Sequence, residues 1–199
     1  SIEHVLEYTK VQFVQGQIVK ADLKDRKLYS KNHEYDFDYL ILGIGSEPAY
    51  FNIEGMEENA FTLWSLSDAV KIYDHIIHMF QQAVEEKDPD KRKELLTFVV
   101  GGGGFTGVEM MGELIEWTST LCKQYNVPKE DIRLVQVEAL PNLCPILDPK
   151  LVAKVEKYLK KKGVEVLTNS PITAVSPNTM TVGEDQVIPT RTVIWTGGV

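Results

Sequence analysis

The 199-residue sequence predicts an α/β fold: a parallel β-sheet with flanking helices, a small antiparallel excursion, and a further β segment on the N-terminal side. Three observations predict it. Short apolar runs of strand length alternate with longer segments of 3.6-residue apolar period. One such run is followed at once by four glycines and a helical pattern. Two short runs near the end alternate apolar and polar residues between turn residues.

Taken in order, residues 11–45 read as strands. VQFVQGQIVKADL alternates imperfectly, KDRK is a polar turn, and FDYLILGI is the continuous apolar run of a strand buried on both faces. GSEPAYFNIEG, with Pro48 and two glycines, reads as an irregular connection. Across residues 65–86, Leu66, Ala69, Val70, Tyr73, Ile76, Ile77, Phe80 and Val84 recur at helical spacing and mark the apolar face of an amphipathic helix. KDPDKRKEL mixes both signs of charge, as a solvated loop and helix end does. LLTFVV is a short buried strand, and Val108, Met111, Ile115, Thr118 and Leu121 carry the next helix.

IRLVQVE is the following strand, ending at Glu138. Asp148 and Pro149 then start a helix, a capping side chain before a proline at the first helical position. Leu151, Val152, Val155, Tyr158 and Leu159 give that helix its apolar face, Gly163 suits its left-handed end, and VEVLT returns as a strand. This order predicts βαβαβ with parallel strands. PITAVSPNTMTV and QVIP form the antiparallel excursion, and TRTVIWTGGV a last apolar strand.

Composition narrows the function. The net charge is −8, and Lys and Arg are scattered rather than gathered in a stripe, which argues against nucleic acid as a partner. No segment approaches 18 consecutive apolar residues, and SIEHVLEYTK lacks the form of a signal peptide. Cys122 and Cys144 are spaced for neither a zinc site nor a CxxC pair, and read as reduced thiols of a cytoplasmic protein. His75 and His78 stand at i, i+3 without a third ligand nearby, so they read as surface histidines and no metal is assigned.

The chemistry lies in FVVGGGGFTGVE. Gly102, Gly104 and Gly107 fit GxGxxG, with the strand before and the helix after that a Rossmann-like turn requires. Gly102 permits the tight turn, Gly104 lets the backbone approach a pyrophosphate, and Gly107 lets helix pack on strand, with Gly101 and Gly103 as spacers. The cofactor-binding stretch is therefore Gly102, Gly103, Gly104, Phe105, Thr106 and Gly107, with phosphates at the helix N-terminus. Glu138, followed by Ala139, stands at the end of the next strand, where the adenosine ribose lies. It comes 36 residues after Gly102 rather than about 20, so the intervening helix is long. A carboxylate there accepts from ribose hydroxyls and repels a 2'-phosphate, and no Arg follows in ALPNLC, which favours NAD(H) over NADP(H). The alternatives are a purely steric glycine turn and a solvated Glu.

The stretches DYLILGIGSEPAYFNIEGMEENAFTLWSLSDA, VVGGGGFTGVEMMGEL, VEALPNLCPILDPKL and TVIWTGGV resemble the flavin-dependent pyridine nucleotide oxidoreductases, and within them the type II NADH dehydrogenases that reduce quinones. The resemblance implies that residues 1–50 are a partial FAD-binding segment with Gly45 and Ser46 near the flavin. Residues 51–199 become the NAD(H)-binding domain, with Gly197 at its return. It implies NADH and quinone as substrates and FAD as the flavin. Glu109 would face the nicotinamide and flavin as the catalytic residue, with a first-turn Glu favoured by the helix dipole as its simpler reading. A first FAD fingerprint would precede Ser1 and a flavin motif would follow Val199, making this a truncated piece. The parent would sit peripherally on the cytoplasmic face of the membrane, through regions beyond this sequence, and could form a homodimer. Two other readings stand beside this one: a soluble NADH oxidase or ferredoxin reductase, and a dinucleotide-binding module without turnover.

Overall fold

In the computed structural model, which describes residues 2–198, the chain divides between Gly45 and Ser46 into two units. The first holds helix α1 (Ile2–Leu6) and an antiparallel sheet of β1 (Ile18–Asp22), β2 (Lys27–Ser30) and β3 (Glu34–Asp36), in the order β1-β2-β3. The KDRK turn forms because Asp22 accepts from the backbone N–H groups of Lys24 and Asp25, at 3.1 and 3.0 Å, and so ends β1.

The run FDYLILGI does not become the doubly buried strand its composition predicts. No described strand pairs with residues 38–45, and Tyr39, Ile41 and Ile44 are 95%, 93% and 90% exposed. Strand geometry persists only where neighbours take up its N–H and C=O groups, and none does so here.

The second unit contains α2 (Met56–Asn59), β4 (Phe61–Thr62), α3 (Leu66–Glu85), α4 (Pro89–Leu95), β5 (Thr97–Gly101), α5 (Phe105–Tyr125), β6 (Arg133–Val137) and α6 (Pro149–Lys161). After them come β7 (Glu165–Leu167), β8 (Ile172–Val175), β9 (Thr179–Val182), β10 (Gln186–Pro189) and β11 (Thr192–Trp195). A five-stranded parallel sheet runs β4-β11-β5-β6-β7. Its two faces are covered differently, and the strand sequences say which side chain goes where. Phe98, Val100, Leu134 and Ile194 meet the α3, α5 and α6 side chains Phe80, Met111, Leu114 and Leu159. Val99, Val135, Val137, Val193 and Trp195 point the other way, onto Met180, Val182 and Ile188 of the antiparallel sheet β10-β9-β8.

The helices are specified locally. Ser65 caps α3 in a capping box with Asp68, Asp88 caps α4, and Asp148 followed by Pro149 opens α6. Gly163, at φ +86, follows the end of α6 in the left-handed region. The apolar faces differ in phase from their sequence reading. In α3 the buried side chains are Ile72, Ile76, Met79, Phe80 and Ala83, while Leu66, Val70, Tyr73 and Val84 are exposed. In α6 Val152 and Leu159 are buried, and Leu151 and Tyr158 exposed. A broad apolar stripe fits several rotations, and the sheet surface selects one.

The division into units falls ahead of the boundary expected after residue 50, because Ala49 already belongs to the sheet's surroundings. Its N–H donates to the Gly198 carbonyl at 3.1 Å, and its own carbonyl accepts from Trp195 Nε1 at 2.8 Å.

Candidate functional site

The strand order reverses direction between β5 and β11. From β5 the chain proceeds through α5 to β6 on one side, whereas β11 returns on the other. In an open parallel sheet, the crevice outside the C-terminal ends of the strands at such a point is where ligands bind. The four glycines stand there, and each has its own reason.

Gly102 has φ +108, and a Cβ on it would lie 2.7 Å from the Gly197 nitrogen. Gly107, in the first turn of α5, could carry no Cβ without striking the Gly102 carbonyl oxygen. Gly104 differs, because a Cβ there would meet nothing within 4 Å. The fold leaves room beside Gly104 that it does not use. Gly101 and Gly103 are more than spacers. A Cβ on Gly101 would press on Ile172 and Trp195, and one on Gly103 on Leu143 and Glu138.

Hydrogen bonds hold the turn. The Gly102 N–H donates to the Val137 carbonyl at 2.8 Å. The Gly102 carbonyl accepts from Gln136 Nε2 at 2.8 Å and Thr196 Oγ1 at 3.2 Å. The Gly103 N–H donates to Glu138 Oε2 at 2.5 Å, and its carbonyl accepts from the Cys144 N–H at 2.7 Å. Beyond Gly103 this changes. Gly104 is the N-cap of the 21-residue α5 and no side chain caps the helix, unlike α3, α4 and α6. Its first N–H groups, which have no intrahelical partner, carry the positive end of the helix dipole into the open space by Gly104.

Next to the turn is a cavity of about 320 Å³, lined mainly by apolar side chains including Phe51, Ile53, Ile172 and Trp195, with Gly102 and the single carboxylate of Glu138. Ala139 and Gly197 complete its wall. This is the size and make-up of a small-molecule site. A larger cavity of about 450 Å³ lies at the N-terminal ends of β5 and β6, but its Arg92 is paired with Asp131 at 2.9 Å. Ligand binding in this sheet type belongs to the opposite end, so the smaller cavity is the candidate.

The residues singled out in the sequence are distributed as follows. Gly102, Glu138, Ala139 and Gly197 share the cavity. Phe105 and Thr106 are exposed at the start of α5, and Thr106 reaches a small hollow of about 70 Å³ with Trp64 and Thr196. Gly103 is buried, with both its N–H and C=O already engaged within the protein. Glu138 is likewise engaged, its Oε1 accepting from the Leu140 N–H at 2.7 Å. Glu109 is exposed and lies in the second turn of α5, not the first, so the dipole reading of that residue does not hold. Gly45 and Ser46 are exposed on either side of the unit division. Val199 of TGGV lies outside the described residues.

Burial, with the carboxylates of Glu109 and Glu138 adding to it, pushes the Cys144 thiol up, away from the reactive thiolate. Cys122 is also held up by burial, and both are free. His75 is not the surface histidine its spacing suggested. Its ring packs on Phe61 at 4.4 Å, its Nε2 is 2.9 Å from Thr192 Oγ1, and burial lowers its pKa. Among the described residues no three His, Cys, Asp or Glu side chains gather as metal ligands.

Sequence reasoning missed Gln136, Thr196 and the backbone of Cys144. For Gln136 a signal existed: one amide set in the apolar part of RLVQV, between Val135 and Val137, where every residue after Arg133 is buried.

Comparison with known proteins agrees with this geometry. A family model described as pyridine nucleotide-disulphide oxidoreductase matches residues 1–199. The type II NADH:quinone oxidoreductases of Staphylococcus saprophyticus and Staphylococcus aureus are 34% and 35% identical over 201 aligned residues, covering all of this chain and 50% of each relative. The chain thus spans about half the length of the curated relatives it matches. Among solved structures, NDH2 from Plasmodium falciparum in complex with NADH superposes with a TM-score of 0.80 at 21% identity, over 93% of this chain and 40% of that one.

Proposed function

The chain belongs to the pyridine nucleotide-disulphide oxidoreductase family, and from that premise we propose that residues 51–199 bind NAD(H) across the C-terminal edge of the parallel sheet. The observation that carries this is Gly104: an uncapped helix N-terminus faces a space the fold does not need, beside a cavity with one carboxylate. The residues fit the cofactor. Open room by Gly104 admits a pyrophosphate, the first amides of α5 supply its donors, and Glu138 offers its remaining lone pairs to the adenosine ribose. When bound, NADH supplies a hydride. The protein's part is to fix the dinucleotide along the sheet edge and, through Ala139, Trp195 and Phe51, to exclude water from it.

We further propose that the whole protein is a flavin-dependent NADH:quinone oxidoreductase, in which residues 1–50 contribute to the FAD-binding part, Gly45 and Ser46 stand near the flavin, and Glu109 faces the reacting ends. The relatives' names support it. This reading includes a place in a respiratory chain at the cytoplasmic face of a membrane, and a homodimeric state. No helix among the described residues is long and apolar enough to cross a membrane. Titration calorimetry tests the first proposal: the chain binds NADH, and Gly104→Val abolishes binding with an unchanged circular dichroism spectrum. Unchanged affinity in that variant returns Gly104 to a steric role. Quinone-dependent NADH oxidation by the full-length protein, and its absence with FAD removed, tests the second.

A further inference from the structure

The structure assigns Gln136 a role in dinucleotide binding: it is a positioning residue that acts through one peptide plane of the glycine turn. This rests on the NAD(H) reading above. Gln136 is wholly buried one residue before the end of β6, opposite Val100 of β5, on the face that meets α5. Its Nε2 donates to two carbonyls, of Gly102 at 2.8 Å and Val100 at 3.3 Å, which fixes the orientation of the amide, since the reverse would set oxygen against oxygen. Its Oε1 is buried with no partner among the described residues.

An orphaned buried acceptor costs stability, and a Leu or Met would fill the same place without it. The compensating gain is at Gly102. The peptide joining Gly102 to Gly103 is planar, so its C=O and N–H cannot turn independently. Gln136 Nε2 holds the C=O end at 2.8 Å, the Thr196 hydroxyl shares its one proton between that oxygen at 3.2 Å and the Gly101 carbonyl at 3.0 Å, and Glu138 Oε2 holds the N–H end at 2.5 Å. With Gly102 in the left-handed region, no side chain of its own restrains this plane. Three side chains do so instead, two of them from strand ends separated by β5. One further plane, whose Gly103 carbonyl accepts from the Cys144 N–H at 2.7 Å, joins it to Gly104, so the plane that Gln136 holds is the base from which Gly104 and the first amides of α5 present themselves to a phosphate.

The test measures NADH and ADP-ribose affinity by calorimetry, and the unfolding midpoint, for the wild-type chain, Gln136→Met, Thr196→Val, Thr196→Ser and the double variant Gln136→Met/Thr196→Val. Gln136→Met is expected to weaken both ligands about fivefold to tenfold, with an unfolding midpoint unchanged or raised. A residue that serves only the fold would move the midpoint down and leave affinity alone. Thr196→Val weakens binding and Thr196→Ser, which keeps the hydroxyl, restores it. Because both donors act on one oxygen, the double variant departs from additivity. If the wild-type chain binds NADH and Gln136→Met binds it equally well, the inference is overturned while the functional reading stands. If wild type binds no NADH, both fall. Should Gln136→Met fail to fold, Gln136→Leu is measured in its place, and wild-type NADH affinity in that variant overturns the inference.

Discussion

Two stretches of this chain are built alike, an apolar run that ends in glycine, and the fold treats them in opposite ways. LLTFVVGG yields β5, five residues wholly buried between β11 and β6, with its glycines turned into a binding corner. DYLILGIG yields no strand, and its Tyr39, Ile41 and Ile44 side chains lie almost fully in solvent. The difference is not in the apolar content of either run. A run of this kind carries a demand for burial, while the strands on each side and the layers above and below decide whether it is met. The glycines diverge for the same reason. Gly102 and Gly107 are fixed by what touches them, whereas a Cβ on Gly45 would meet nothing within 4 Å.

The sharpest way to break this comparison is at Gly107. A Cβ there would strike the Gly102 carbonyl and come within 2.8 Å of Thr196 Oγ1, both held by other bonds. Gly107→Ala is expected to cost about 3 kcal/mol or more in denaturant unfolding, and to remove NADH binding along with the turn. Gly104→Ala, in open space, is expected to stay within about 1 kcal/mol. Equal losses in the two variants would mean that the packing around the turn is not what distinguishes its glycines.

Next in size is the strand itself. Val99 is fully buried against the antiparallel sheet, and Val99→Ala is expected to cost about 2 kcal/mol, from lost transfer energy and the cavity left behind. Urea unfolding followed by circular dichroism checks it. A cost near zero would show that this face of β5 repacks freely.

How far the sequence anticipates this molecule follows from the same contrast. Most of the order of strands and helices in the second unit is legible because those elements carry their own signals: Asp148 with Pro149 at a helix start, Gly163 at an end, and runs such as TFVVG and TVIW between them. By contrast, α4, which Asp88 caps, reads as a solvated loop, and the short α2 and β4 carry no signal of their own. The glycine turn is legible because its spacing has a steric meaning. What was not legible depends on partners distant in sequence. The rotation of α3, which buries Ile72 and Met79 and exposes Leu66 and Val70, is chosen by the sheet below it. The engagement of Glu138 by Gly103 and Leu140, and of Gly102 by Gln136 and Thr196, needs three segments to meet. The absence of a strand at residues 38–45 turns on neighbours as well.

A smaller effect separates the two dinucleotides. A 2'-phosphate beside Glu138 brings like charges together, so NADH is expected to bind about tenfold more tightly than NADPH at low salt. The structure alters what Glu138→Gln should do. Both carboxylate oxygens already accept from backbone amides, of Gly103 and Leu140. A glutamine keeps one acceptor and turns an NH2 towards the other amide. The preference is therefore expected to narrow from both sides, with NADPH gaining from the lost repulsion and NADH losing from a loosened turn. Titration of both nucleotides against both proteins decides it, and an unchanged ratio would remove Glu138 from the ribose.

The smallest effect tests the other half of the comparison. Ile41 is 93% exposed and makes no strand pairing, so in this chain its side chain has almost no burial to lose. Truncating it by the same logic as Val99 should therefore leave the folded state nearly untouched. Ile41→Ala is expected to change the unfolding free energy by less than about 0.5 kcal/mol, measured in the same urea series as Val99→Ala. The two substitutions each remove apolar carbon from a run that composition marks as strand, so any difference in cost measures the surroundings. A loss at Ile41 comparable to that at Val99 would mean that residues 38–45 are buried in solution, and the contrast between the two runs would collapse into a single rule that apolar runs of this length are covered wherever they occur.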